Sequence, residues 1–183
     1  MPDLADYPSV PAASGPHDPL PLAAGVYDRA PDLGMALHSL EHGGVIDPAY
    51  GYRVDYRGRS AAFSGDTHFF EPIVEHAKGV DVLVHEVISP EVELRRAQVQ
   101  GPRAVERVIS HHTGPDQAGT IFSRVKPRLA VYSHIVPSPT TAEDLIGPTR
   151  RTYSGPLAVG YDLMTIVIGD TIEVYPHKTL SDK

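Results

Sequence analysis

The sequence predicts an α/β fold from three observations. Apolar, β-branched runs of strand length alternate with helix-length segments from about residue 34 onward. The stretch Val80-Asp81-Val82-Leu83-Val84 has the near-continuous apolar character of a buried strand. The hydrophobic share of 41% and charged share of 21% over 183 residues suit one soluble domain with a core.

Residues 1–33 are dense in proline and carry neither the helical nor the strand period, which predicts an irregular arm. A strand is expected over Met35–Glu41. A hairpin follows, Tyr50–Tyr56 and Arg59–Ser64, turning at Arg57-Gly58; the alternation Tyr52-Arg53-Val54-Asp55-Tyr56 suits a half-exposed strand. Phe69–Lys78 reads as a helix that Gly79 caps. Val80–Ile88 is the buried strand, and Glu91–Ile109 is helical with a break at Gly101-Pro102. Pro115–Val125 is a helix with proline in its first turn. Arg128–Tyr132 is a short strand, and Thr141–Thr152 a helix capped by Thr141 or a neighbour. Leu163–Ile168 and Thr171–Tyr175 close the chain around the turn Gly169-Asp170. The domain reading is an arm over 1–33, one domain over 34–177, and a tail over 178–183. No internal repeat is present.

Composition narrows the chemistry. A net charge of −7 argues against a chain that grips nucleic acid by bulk charge, though a local basic patch stays open. With no cysteine, any metal must sit on His, Asp or Glu, and ten histidines supply candidates. No run of about 18 apolar residues occurs, and no signal-peptide pattern opens the chain, so no membrane span and a cytoplasmic location are expected.

Four places carry chemistry. In Phe63-Ser64-Gly65-Asp66-Thr67 a strand delivers a carboxylate into a loop, as a metal ligand, a general base, or a cap for the next helix. In Tyr132-Ser133-His134-Ile135 a buried strand runs out at a histidine, where α/β proteins place ligands; a purely structural role is the alternative. His42 follows an apolar strand and precedes Gly43-Gly44, leaving room for a metal or substrate unless it is an ordinary loop residue. In His111-His112-Thr113-Gly114-Pro115-Asp116 a histidine precedes a helix N-terminus. It could meet an anionic group there or donate a proton, or the segment could simply cap the helix through Thr113 or Asp116.

The order of these features resembles the metallo-β-lactamase superfamily, in particular its ribonuclease Z-like and arylsulfatase-like phosphodiesterase branch. Glu41-His42-Gly43 followed by Ala49-Tyr50-Gly51-Tyr52-Arg53-Val54 resembles that branch's His-Gly…Phe/Tyr-Gly-Tyr-Arg segment. Arg59 through Thr67 resembles its Gly-Arg-Ser-Val-Val-Phe-Ser-Gly-Asp-Thr strand. Asp81-Val82-Leu83-Val84-His85-Glu86 resembles its Asp-Leu-Leu-Val-His-Glu strand, and His112-Thr113 through Gln117-Ala118-Gly119 its His-Ser/Thr-x-x-Glu-Gln-Ala helix start. The likeness covers roughly residues 35 to 176.

The resemblance implies the C-terminal half of an αββα sandwich and a centre for two zinc ions, with manganese or iron as chemical alternatives. It makes His42 a ligand of the first zinc, Asp66 a bridge between both, and His134 a ligand of the second. His112 becomes proton donor or phosphate contact, so His112 and Asp66 are the expected catalytic residues. His85 and Glu86 take supporting roles, while His111, His68 and His76 take none. The implied reaction is hydrolysis of a phosphodiester or related ester by zinc-activated water, on a small molecule or on RNA.

The family's His-x-His-x-Asp-His loop does not occur in these residues. His38 and His42, four apart in a strand, would stand about 13 Å apart, too far for one metal. The expectation is weak metal binding and little hydrolysis by this chain alone. The alternatives are a non-catalytic remnant or interaction module, and a half-site completed by a partner chain. An exposed apolar sheet face, open to self-association or to a partner, is expected as well.

Overall fold

The structure is a computed structural model that describes the backbone of residues 25–30, 33–42 and 46–175, and the side chains of residues 50–175. Seven strands form one mixed sheet in sequence order: β1 (Gly25–Ala30), β2 (Leu33–His42), β3 (Ile46–Tyr56), β4 (Arg59–Phe63), β5 (Val82–Ile88), β6 (Leu129–Val136) and β7 (Leu157–Val159). β1 to β4 make an antiparallel meander, and β4 to β7 run parallel. A hairpin of β8 (Thr165–Ile168) and β9 (Ile172–Tyr175) forms a second, two-stranded sheet.

Parallel strands need crossovers, and helices supply them. α1 (Glu71–His76) links β4 to β5. α2 (Pro90–Leu94), α3 (Ala97–Gln100), α4 (Pro102–His111) and α5 (Pro115–Val125) lie between β5 and β6, and α6 (Ala142–Thr149) between β6 and β7. The core sits between one sheet face and α1, α5 and α6. Leu83, Val87, Ala130 and Tyr132 from the strands meet Ile73, Ile121, Phe122 and Leu145 from the helices. Gly119 lets α5 approach α6, since a Cβ there would collide with Thr149 and Thr152. On the opposite face Val82, Leu129 and Val131 are covered by Met164, Ile166, Ile168 and Ile172 of the hairpin region. Arg128 clamps the hairpin turn through Asp81 at 2.8 Å and the Gly169 carbonyl at 3.0 Å.

Several expectations shift in the structure. β1 occupies Gly25–Ala30, inside the stretch expected to be irregular; its register with β2, which pairs Val26 with Ala36 and Tyr27 with Met35, supplies order that local composition did not signal. Residues 1–24 lie outside the described residues. β7, three residues long, was not foreseen. The helical stretch after β5 breaks at Gly101 as expected, where a φ of 85° fits no helix, and breaks a second time at Arg95-Arg96.

Candidate functional site

Three adjacent parallel strands end at one edge of the sheet and deliver the polar groups there. β4 ends at Phe63 and leads through Ser64 and Gly65 to Asp66. Gly65 has φ of 61°, and a Cβ on it would run into the Tyr50 carbonyl oxygen. Only glycine lets this loop fold back over β3 and carry Asp66 to the edge. β5 brings Glu86, which is 2% exposed. β6 brings His134, which occupies a bulge: Glu86 pairs with Ser133 and Val87 with Ile135, so His134 is the extra residue, with φ of 43°. A left-handed non-glycine residue costs of order 1–3 kcal/mol and persists where its surroundings hold it; bulges of this kind re-aim side chains beside functional sites.

The carboxylates and imidazoles pair. His134 Nδ1 lies 3.0 Å from Asp66 Oδ1, both side chains about half exposed. Glu86 is doubly engaged: Oε2 meets His112 Nδ1 at 2.9 Å, and Oε1 accepts from the Thr113 backbone N–H at 2.6 Å. The hydrogen bond that His112 donates to Glu86 raises the His112 pKa above its ordinary 6.5, against the opposing pull of burial. The His112 and His134 rings stack, with centroids 5.5 Å apart. Glu86, His112 and His134 each bring one ligand atom within 4.8 Å of the others, a possible metal-holding group. Both Glu86 oxygens already serve His112 and Thr113, so its evident work is to position the loop that carries His112.

Hydrogen bonds tie the ends of β4 and β5 to the loop that carries His112 and Thr113. The Glu86 N–H donates to Ser64 Oγ at 3.0 Å, the Thr113 hydroxyl donates to the Thr67 carbonyl at 2.9 Å, and the Ile88 N–H donates to the Thr113 carbonyl at 3.0 Å. Ser64, Thr67 and Thr113 are all buried.

Asp66, His112 and His134, three of the residues singled out from sequence, thus meet in space. His42 ends β2, and its side chain lies outside the described residues. Glu86, given a supporting role from the sequence, accepts from His112 Nδ1 and the Thr113 N–H; which partners it serves was not legible there. The signal for a partnered carboxylate is its place at the end of the most apolar strand, where burial without a partner would be costly. His85 is fully buried against Phe122, its Nδ1 on the Glu86 carbonyl at 2.7 Å, and burial lowers its pKa.

Residues 25–135 match the family described as the beta-lactamase superfamily domain, more than half of the chain. The chain belongs to the metallo-β-lactamase superfamily. It is similar to ribonuclease Z of Mycobacterium tuberculosis, at 27% identity over 135 residues, covering 73% of this chain and 46% of that protein. Ribonuclease Z of Myxococcus xanthus is 28% identical over 129 residues, covering 70% of this chain and 39% of its own length. The chain spans about half the length of such relatives. Among solved structures it resembles the metallo-β-lactamase fold protein YhfI of Bacillus subtilis, with a TM-score of 0.54 at 14% identity over 70% of this chain and 46% of that one. Zinc-bound PqqB of Methylobacterium extorquens gives 0.53 at 15% identity, over 77% and 49%. The α/β architecture with a parallel-rich sheet is thus that of the metallo-β-lactamase fold. Among the described residues no helix is long and apolar enough to cross a membrane.

Proposed function

We propose that the chain supplies one side of a metal-dependent hydrolase centre acting on phosphodiesters or related esters, with Asp66, His134 and His42 as metal ligands and His112 as proton donor. The observation that carries this reading is the convergence of Asp66, Glu86–His112 and His134 at the ends of β4, β5 and β6. The donors fit zinc. Two ligands of tetrahedral zinc at 2.0–2.1 Å stand about 3.3 Å apart, and Asp66 and His134 already approach to 3.0 Å. Bound there, a metal ion lowers the pKa of water and offsets charge developing on a phosphoryl group. Manganese or iron accept the same donors.

The chain's own residues do the rest. Glu86 takes His112 Nδ1, so a proton passed to a leaving oxygen departs from Nε2, and the Thr113 N–H bond to the same carboxylate fixes where that nitrogen points. The similarity to ribonuclease Z supports RNA as one substrate beside small esters. A catalytic zinc takes three protein ligands, and His-x-His-x-Asp-His does not occur in these residues. The 183 residues alone therefore hold metal weakly and turn over little, and a segment bearing that motif completes the centre.

The test is zinc per chain together with hydrolysis of bis-p-nitrophenyl phosphate, on the wild type and on His42→Ala, Asp66→Ala, His134→Ala and His112→Ala. Substoichiometric zinc that falls further in the first three and persists in His112→Ala is expected. Zinc unchanged by all four substitutions overturns the ligand assignment. Two tightly held zinc ions with brisk turnover overturn the weakness.

A second reading, a non-catalytic interaction module, is favoured by the hairpin side of the sheet. There a groove lined by Phe63, Val84, Val131 and Ile166 stays open, and Phe63 is 43% exposed. It predicts no turnover even when a His-x-His-x-Asp-His segment is added.

A further inference from the structure

The excursion between β5 and α5 leaves the sheet at Ser89 and returns at His112, so both of its ends stand at the proposed centre. It packs thinly. Glu93 is the buried residue of α2 and Val105 that of α4, and α3 has none. Past the exposed Glu91 and the buried Glu93 of α2, its outer surface is basic. Residues 95–107 hold four Arg against one Glu, a local balance of +3 on a chain of −7, and Arg95, Arg96, Arg103 and Arg107 are all exposed. Arg96 is engaged with Glu93 at 3.4 Å, and Arg95 acts on Asp144. Arg103 and Arg107 have no ion-pair partner among the described residues. They stand one helical turn apart on α4 and line a shallow groove with Gln100, Pro102 and Val108.

We propose that Arg103 and Arg107 form a binding surface for the phosphate backbone of a single-stranded nucleic acid whose scissile phosphate sits at His112. The inference rests on the proposed phosphodiesterase reading, because His112 sets where the strand begins. His112 caps α4, so Arg107 is five residues and about 7.5 Å back along the axis, and Arg103 about 6 Å further. Two guanidinium forks in file along a helix leading away from the scissile position suit successive phosphates of one strand. A small phosphodiester, ending at His112, reaches neither. Contacts of this kind position a strand without reading its sequence. They also reconcile an acidic chain with a polyanionic substrate, since the positive charge is gathered where the strand would lie.

The test is fluorescence anisotropy of labelled 12-mers of oligo(U) and oligo(dT) with the full chain in EDTA, between 50 and 200 mM salt, so that neither metal nor hydrolysis enters. Each phosphate contact on a single strand contributes about 0.7 to the logarithmic salt slope, so two contribute about 1.4, equivalent to about 25-fold in affinity at 0.1 M salt. Arg103→Ala/Arg107→Ala is expected to weaken binding by that factor and flatten the slope by that amount. The control pair Lys78→Ala/Arg151→Ala, two exposed cations elsewhere, should change neither. Equal loss on both oligonucleotides marks the phosphate backbone as the ligand, and loss on oligo(U) alone adds a contact to the 2′-hydroxyl. No binding by the wild type, or equal binding by the double variant, overturns the proposal. The metal centre is judged separately by zinc content, so either reading can fail while the other stands.

Discussion

Replacing Glu86 by Gln tests how the site holds His112. The carboxylate is 2% exposed and accepts from Thr113 N and His112 Nδ1 at 2.6 and 2.9 Å. An amide of the same shape cannot accept from both. Thr113 N–H can only donate, so the carbonyl of the substituted amide must face it, and the amide NH2 then faces His112 Nδ1. His112 must release its Nδ1 proton and carry the hydrogen on Nε2 instead. A hydrogen bond to a charged partner is worth about 1.5–3 kcal/mol, so that much is lost while His112 is an imidazolium. The sign follows from the raised folded-state pKa. The stabilisation is fully present below the unfolded value of about 6.5 and fades as pH rises through the folded value. Urea unfolding in EDTA should show a wild-type to Glu86→Gln gap that is widest near pH 5.5 and narrows at higher pH. Nitrogen-15 NMR of the His112 ring should report the proton on Nδ1 in the wild type and on Nε2 in the variant. A gap that does not change with pH, or an unchanged tautomer, would show that Glu86 does not govern His112.

Three further outcomes follow from the same structure. Gly65→Ala should cost upwards of about 2 kcal/mol, from the left-handed backbone and the blocked Tyr50 carbonyl; a thermal melt within a degree of wild type would contradict that placement. Asp81→Asn should destabilise at neutral pH and converge with wild type as the pH falls below the ordinary carboxylate range. Burial pushes the Asp81 carboxyl up, but Arg128 and Ser60 together hold it below the ordinary carboxylate value, so its contribution is lost as pH falls through that lowered pKa; a gap that persists at pH 2 would sink this. EDTA should leave the melting temperature of the chain within about a degree, because weak metal binding adds only RT ln(1 + [M]/Kd); a fall of ten degrees would mean that metal, not hydrogen bonding, holds the edge together.

What the sequence revealed of the site was the ends of elements. Asp66 stands after a strand and a turning glycine, His112 before a proline-started helix, and His134 at the end of an apolar run, so each was visible as a polar group leaving a buried segment. Elements with strong local signals, such as Pro115–Val125, lie where expected. What stayed hidden depended on partners distant in sequence. The Glu86–His112 pair spans 26 residues, and the bulge that turns His134 exists only as a register slip between β5 and β6. β1 needed β2 beside it, and β7 is three residues whose order comes from pairing with Ala130, Val131 and Tyr132. Local propensity is a weak prior wherever pairing decides.

Buried hydrogen bonds organise much of the site. In small zinc domains the ion closes the fold, and the ligands have no fixed positions before it binds. Here Ser64, Thr67, Ile88 and Thr113 tie the Asp66 loop, the end of β5 and the His112 loop to one another through buried hydrogen bonds, and Glu86 sits among them with both oxygens occupied. Burying those groups is tolerable because each is satisfied, and the loops cannot separate without exposing several at once. Asp66 and His134 differ: they are half exposed and joined by a single contact that solvent can reach. The rigid part of the edge thus aims groups, and the open part is left to bind. A metal, or a segment bearing further ligands, would meet an edge already in position and would add affinity without having to order it.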